Sequence, residues 1–413
     1  MLEGWTKHRI DELGNGRRPV LKAGPFGSSV TKSTYQVSGY KVYGQQEVVA
    51  KDLDAESYFV SMSAFNKHKS CAVEPGDILM TMMGTIGRVY RVPDGAPEGI
   101  INPRLVRISF DHARVIPEFA EIALDQTWLQ RLLERRSHGG TMPGLNLEAI
   151  ASINLSLPPR AEQRRIAEIL RTWDDAIAKL EALRAATLKR RVWFRSKVLT
   201  GRSRLPGFSN DWENVAFADV LDEHGEPSNG AEEVYSVSVH KGLINQIEHL
   251  GRSFAAANTD HYNRVLPGDI VYTKSPTGDF PLGIIKQSKV DKEVIVSPLY
   301  GVFTPETHAL GVILDAYFES PVTVRNYLSP LVQKGAKNTI AITNKRFLEG
   351  KLRLPRDPAE QEAIAHVIKT DQIILEGIEA EITALQRQKR GLMQKLLTGE
   401  WRVKLDTVAE TAK

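Results

Sequence analysis

Ala161-Glu-Gln-Arg-Arg-Ile166-Ala-Glu-Ile-Leu170 and Ala359-Glu-Gln-Glu-Ala-Ile364-Ala-His-Val-Ile368 are two writings of one segment, 198 residues apart. The register runs without a gap to Leu199-Thr200-Gly201 and Leu397-Thr398-Gly399, so roughly forty residues recur and close alike. In the second copy Ile364, Ile368, Leu375, Ile378, Ile382, Leu385, Leu392 and Leu396 follow steps of four and three, with Asp371 and Lys389 as breaks. That spacing is a heptad seam and predicts a long helix. The first copy repeats it with Ile166, Leu170, Trp173, Ile177, Leu180, Phe194 and Val198, broken at Arg184, Thr187 and Arg191. Pro158-Pro159 and Pro358 stand where a helix starts, and Gly201 and Gly399 stand where a C-terminal cap belongs. A lone helix of this kind leaves an apolar stripe wet. Two in one chain bury it by packing on each other, and the pattern leaves their relative direction open.

Outward from these rods the repeat is fainter. Val73-Glu-Pro75-Gly76-Asp77-Ile78-Leu79 matches Val265-Leu-Pro267-Gly268-Asp269-Ile270-Val271, Asn102-Pro103 matches Ser297-Pro298, and Leu157-Pro158 matches Leu354-Pro355. The offsets drift from 192 to 195 to 197, as small insertions in a common fold produce. The order is therefore domain, rod, domain, rod. Runs such as Ile100–Ile108, Val234–Val239 and Ile284–Val296 predict strands, and each Pro-Gly suits the centre of a type II turn. One helix is expected in each domain, near Pro117–Leu133 and Leu310–Leu328. The fold class expected is α+β.

Composition sets the outer limits. A chain of 413 residues with 42% hydrophobic and 25% charged residues can bury several cores. No run nears the roughly 18–20 apolar residues of a membrane span, and Met1-Leu-Glu-Gly-Trp5 has no apolar signal core, so no export is expected. A single cysteine, Cys71, leaves no internal disulfide or cysteine cluster to form. The net charge of +4 permits nucleic-acid binding without demanding it.

Catalytic constellations are missing from the sequence. It contains neither G-x-x-x-x-G-K-[ST] nor a strand followed by G-x-G-x-x-G, and Gly24-Pro-Phe-Gly27 has the wrong spacing for either. H-E-x-x-H is absent, so no metal site is expected. Asn102-Pro103-Arg104-Leu105 lacks the second proline and aromatic of an amino-methyltransferase motif, and Glu349-Gly-Lys351 is an isolated E-x-K. No catalytic residue is assigned.

Groups suited to binding are present. Lys189, Arg190, Arg191, Arg195, Lys197, Arg202 and Arg204 form an acid-free run, echoed by Arg387, Lys389, Arg390 and Lys395. Such runs complement a helix C-terminus or contact phosphates. In the first domain the candidate DNA-binding residues are Lys22, Ser28, Lys32, Lys41, Arg88 and Arg104, among Phe26, Tyr35, Tyr40, Tyr43, Thr85 and the segment His138–Asn146. In the second they are Lys241, Lys274, Thr277, Lys286, Lys337 and Asn338, near Ser275, Lys334 and Thr339. These residue types reach phosphates and base edges.

With two variable domains, two matching rods and no catalytic motif, the chain resembles the specificity subunit of type I restriction–modification enzymes. The rods carry the resemblance most strongly, through Leu157-Pro-Pro with Ala161-Glu-Gln163 to Leu199-Thr-Gly201, and Leu354-Pro355 with Ala359-Glu-Gln361 to Leu397-Thr-Gly399. Gly24-Pro-Phe-Gly27 and the two Pro-Gly-Asp-Ile strings add to it. The second copy departs by one residue, Pro355-Arg-Asp-Pro358 standing where the first has Pro158-Pro159.

The resemblance implies two α+β target-recognition domains separated by two long helices that pack as an antiparallel coiled coil, a pseudo-twofold repeat. It places the first recognition domain at 1–155, the first helical spacer at 156–205, the second recognition domain at 206–350, the second spacer at 351–405 and a tail at 406–413. Each domain would read one half of a bipartite, asymmetric site in double-stranded DNA. Two methyltransferase (M) subunits would dock on the scaffold and methylate adenine with S-adenosylmethionine. Translocase–nuclease (R) subunits, using ATP and Mg, would join in the cytoplasm of a bacterium or archaeon. No cofactor is expected in this chain itself. A coiled-coil scaffold for other ligands, a fused modification enzyme and a modification-only specificity chain are the rival readings.

Overall fold

The computed structural model describes residues 4–25, 30, 32–56, 58–137, 144–250, 259–334 and 340–405. The chain divides into two compact units: Met1–Lys179 with Thr383–Lys413, and Leu180–Ile382. Each contains an α+β domain, half of the first rod and half of the second.

The rods are helices over Arg160–Lys197 and Pro358–Thr398. Gly201 (φ 68) and Gly399 (φ 72) take the left-handed conformation that ends them. In the first unit, Ile166 and Leu170 share a core with Leu396, and Leu392 packs against it. In the second, Phe194 and Val198 share one with Ile364, with Ile368 alongside. The start of each rod thus meets the end of the other, so within each unit they run antiparallel. The remaining seam positions grade outward. Ile177, Leu375 and Ile378 are buried, while Trp173, Leu180, Ile382 and Leu385 are half-buried.

The breaks in the heptad pattern carry polar pairs. In the second unit Arg184 Nε donates to Glu379 at 2.8 Å, Arg190 pairs with Asp371 and Arg191 donates to Gln372 at 2.6 Å. In the first, Lys389 pairs with Asp174. Thr187, also a break, is buried because its hydroxyl donates to the Leu183 carbonyl one turn back at 2.9 Å.

Each unit is built on the same four-stranded antiparallel sheet. In the first the order is Leu21–Ala23, Leu105–Ile108, Ile78–Thr81, Val89–Arg91. In the second it is Leu221–Asp222, Gly301–Pro305, Ile270–Tyr272, Ile285–Gln287. Ile78 faces Ile108 as Ile270 faces Phe303, so the faint sequence repeat is a register repeat. Before each central strand the Pro-Gly turn closes with a hydrogen bond, Asp77 N–H to Glu74 at 3.0 Å and Asp269 N–H to Leu266 at 3.1 Å. Gly76 and Gly268 sit at φ 85 and 93, the left-handed third position of a type II turn. At Gly76 a Cβ would also come within 2.6 Å of the His112 ring.

One expectation needs correction. Each domain has more than the one helix predicted, and the predicted one is split in two: Pro117–Leu124 with Thr127–Arg136, and His308–Tyr317 with Pro321–Leu328, beside shorter helices such as Gln45–Ala50 and Asn344–Glu349. Pro321 explains the second break, since it has no N–H for a continuing helix and disfavours helical backbone before it. The second sheets also differ between units. Phe59–Val60, Tyr40–Tyr43 and Gly99–Ile101 form a three-stranded sheet in the first, with a parallel pair; the second has two separate antiparallel pairs, Tyr235–Ser238 with Gly242–Asn245 and Asn263–Val265 with Val294–Val296. Among the described residues no helix is long and apolar enough to cross a membrane.

Candidate nucleic-acid interface

A repeated polar frame underlies each domain. The buried carboxylate of Asp77 accepts from the Glu74 N–H at 2.8 Å, Ser109 Oγ at 2.7 Å and Arg18 Nη2 at 2.6 Å. Asp269 repeats the cage with the Leu266 N–H at 2.8 Å and Thr304 Oγ1 at 2.7 Å, and His224 Nε2 lies at 3.1 Å. The Pro-Gly-Asp aspartates therefore lock turn to sheet and do not face solvent. Burial pushes the Asp77 carboxyl up, against the pull of Arg18.

A second frame element ties domain to rods. In the first unit Glu162, at the start of one rod, accepts Trp5 Nε1 at 3.2 Å and receives Arg402, beyond the end of the other rod, at 2.7 and 2.9 Å. In the second, Glu360 accepts Trp212 Nε1 at 3.1 Å and pairs with Arg204, whose Nε lies at 2.7 Å. Both glutamates are about 2% exposed or less. Neighbouring glutamines act alike: Gln163 Nε2 donates to the Pro158 carbonyl at 2.9 Å, and Gln361 Nε2 to that of Pro355 at 2.9 Å. Antiparallel rods make this clasp reciprocal, because each rod's first turn lies beside the other's last. Sequence reading missed it, although the 198-residue register continues three residues past each Leu-Thr-Gly to Arg204 and Arg402.

Several loops of the first unit meet at one end of its main sheet. In the first unit, the Met82 N–H donates to the Arg104 carbonyl at 2.9 Å and the Leu145 N–H to the Met82 carbonyl at 2.9 Å. A Cβ on Gly24 would lie 1.9 Å from the Asn102 carbonyl oxygen, so only glycine lets the Gly24-Pro strand end pass this turn. Arg88 and Arg104 are exposed there, and Thr85 with them. Tyr35 stacks on Tyr58 at 4.6 Å. Burial raises the Tyr35 phenol, Glu56 adds to that, and the nearby charge of Arg104 opposes it.

The remaining candidates divide. Lys22 is half-buried on a strand, and Lys32 lies in the short turn Lys32–Thr34. Lys241 is exposed where the Tyr235–Ser238 hairpin turns, and Thr277 is exposed in a turn it closes with Phe280. Lys274 is half-buried in left-handed backbone (φ 59), and burial lowers its ammonium. Ser28, Lys337 and Asn338, like Phe26 and most of His138–Asn146, lie outside the described residues.

Two candidates are corrected. Lys41 is buried and pairs with buried Glu47 at 3.2 Å, its ammonium also donating to the Glu56 carbonyl at 2.8 Å. Lys286 is buried on the outer strand Ile285–Gln287 with Asp315 at 3.9 Å. An ammonium sealed beside a carboxylate offers no phosphate contact. Tyr43 is likewise core, and Tyr40 stacks on Phe65 at 4.1 Å. Much of the basic run on the first rod is also spent inside its unit. Arg190 pairs with Asp371, Arg191 and Arg195 pair with Glu319 at 3.0 and 2.6 Å, and Arg204 pairs with Glu360.

Residues 3–190 match the family model for the type I restriction modification DNA specificity domain. That match takes in the first recognition-type domain and most of the first rod, which are similar to the type I specificity-subunit family. The chain is 22% identical to the type I restriction enzyme MjaVIII specificity subunit of Methanocaldococcus jannaschii, over 88% of this chain and 91% of that one. A putative MjaX specificity subunit of the same organism is 22% identical over 80% of this chain and 79% of the relative. The fold is that of the type I system S subunit from M. genitalium, with a TM-score of 0.57, 16% identity, and coverage of 95% and 96% of the two chains. A chain from a structure on complex assembly and conformational transition of the type I system aligns with a TM-score of 0.53 at 15% identity, over 97% and 99% of the two chains.

Proposed function

We propose that this chain is the non-catalytic DNA-reading subunit of a type I complex, each unit reading one half of a bipartite, asymmetric double-stranded target. The observation that carries this is a shared buried frame bearing unlike exposed loops. One scaffold is used twice, with Asp77 and Asp269 caged alike, while Arg104 and its loop neighbours differ from their counterparts in the second unit. Two similar platforms with different tips suit two different half-sites on one duplex, since base-edge discrimination rests on a few exposed side chains.

In this reading the rods set the half-site spacing, and the repeated scaffold offers two similar surfaces to two methyltransferase subunits. S-adenosylmethionine belongs to those partners. ATP and Mg belong to translocase–nuclease subunits, and the assembly works in the cytoplasm. The candidate contacts left after the corrections are Lys22, Lys32, Arg88, Arg104, Lys241, Lys274 and Thr277, with Ser28, Lys337 and Asn338 in the undescribed loops.

The test is co-expression with the adjacent methyltransferase gene and single-molecule mapping of adenine methylation. The expected result is one bipartite motif with one methylated adenine per half, lost when this chain is deleted. Methylation that persists without the chain contradicts the reading.

A further inference from the structure

One turn occurs in both units with the same backbone and a different tip. In the first, Asn102-Pro103-Arg104-Leu105 closes with the Leu105 N–H on the Asn102 carbonyl at 3.2 Å. The Asn102 side chain accepts the Arg104 N–H at 2.9 Å, which fixes the tip from within. In the second, Ser297-Pro298-Leu299-Tyr300 closes with the Tyr300 N–H on the Ser297 carbonyl at 3.0 Å, and Ser297 Oγ accepts the Leu299 N–H at 3.3 Å. Both turns join equivalent strands, Gly99–Ile101 to Leu105–Ile108 and Val294–Val296 to Gly301–Pro305. The tips are exposed, Leu299 to 69%.

The two side chains have opposite chemistry. Arg104 forms no ion pair among the described residues, and its charge opposes the rise of the Tyr35 phenol. An exposed guanidinium at such a tip presents a planar fork of donors. Its planar pair of N–H groups matches guanine N7 and O6 in the major groove. The Leu299 side chain has no donor or acceptor and stands exposed at the turn tip. Its surface suits an apolar base feature, of which the thymine methyl is the one the major groove offers.

We propose that the tips of these paired turns are specificity-determining positions, Arg104 selecting a guanine in one half-site and Leu299 contacting a thymine methyl in the other. This rests on the reading of the units as half-site readers. The difference from a phosphate contact is physical: a phosphate grip strengthens binding to every sequence alike, whereas a base contact changes which pair is accepted.

The experiment uses the full chain in complex with its methyltransferase and maps methylated motifs genome-wide for wild type, Arg104→Leu, Arg104→Gln and Leu299→Arg. The wild-type motif is expected to hold a required guanine in one half. Arg104→Leu relaxes that guanine alone, with discrimination falling about 10- to 100-fold, and leaves the other half unchanged. Arg104→Gln moves the preference at the same pair toward adenine, which glutamine reads through N6 and N7; it carries the test if the leucine variant fails to fold. Leu299→Arg alters one position of the opposite half. An unchanged motif in both Arg104 variants overturns the assignment, as does methylation that falls evenly at every site, the mark of a phosphate contact. A wild-type complex that methylates no defined motif overturns the half-site reading itself, and the assignment with it.

Discussion

The two units repeat two buried polar clusters nearly group for group and differ at the exposed tips of their loops. Glu162 and Glu360 each take an indole N–H and an arginine. Asp77 and Asp269 each take a turn N–H and a hydroxyl, and change only the third partner, Arg18 for His224. By contrast, Arg104 stands where the other unit has Leu299, and the second sheets differ in strand pairing. The difference follows from cost. An unpaired buried group carries its full desolvation penalty, whereas an exposed side chain away from such features is nearly neutral to stability. Loops on such a frame can change what they read without unsettling what holds them.

The sharpest way to break that comparison is to remove the clasp from each unit in turn. Glu162→Ala leaves the Trp5 indole N–H without its acceptor and strips the Arg402 guanidinium of this carboxylate; Glu360→Ala does the same to Trp212 and Arg204. Each is expected to cost about 3 kcal/mol, the range for breaking a buried pair, read by urea unfolding of the full chain. Similar losses support equivalent frames, and a loss in one unit only would show that the likeness is geometric without being energetic. A smaller effect sharpens the contrast. Arg184 and Glu379 pair at 2.8 Å on exposed rod faces, each side chain roughly 45% accessible. Arg184→Ala should therefore cost less than about 1 kcal/mol, and a loss as large as the clasp's would mean the rod seam depends on its polar breaks.

The sequence made the frame legible and hid much of the interface. The 198-residue register and the Pro-Gly-Asp strings announce the rods and the central strands because periodicity and turn chemistry are local. Lys41 and Lys286 look like binding lysines for the same reason: nothing local reveals Glu47 in the helix beyond Gly44, or Asp315 on a helix packed over the strand. The basic run from Lys189 to Arg204 misleads similarly, since Glu319, Glu360 and Asp371 approach it only through the fold. Arg104 was legible as a basic candidate, and the 195-residue offset of Asn102-Pro103 and Ser297-Pro298 pairs it with Leu299; that both sit exposed at matching turn tips needed the fold.

The most direct test of the account exchanges residues 1–155 for those of a family relative with a different motif and maps adenine methylation of the resulting complex. The account predicts one half-site replaced, with the other half and the spacing between them unchanged, because the second frame and both rods are untouched. Alteration of both halves, or of the spacing, would contradict it.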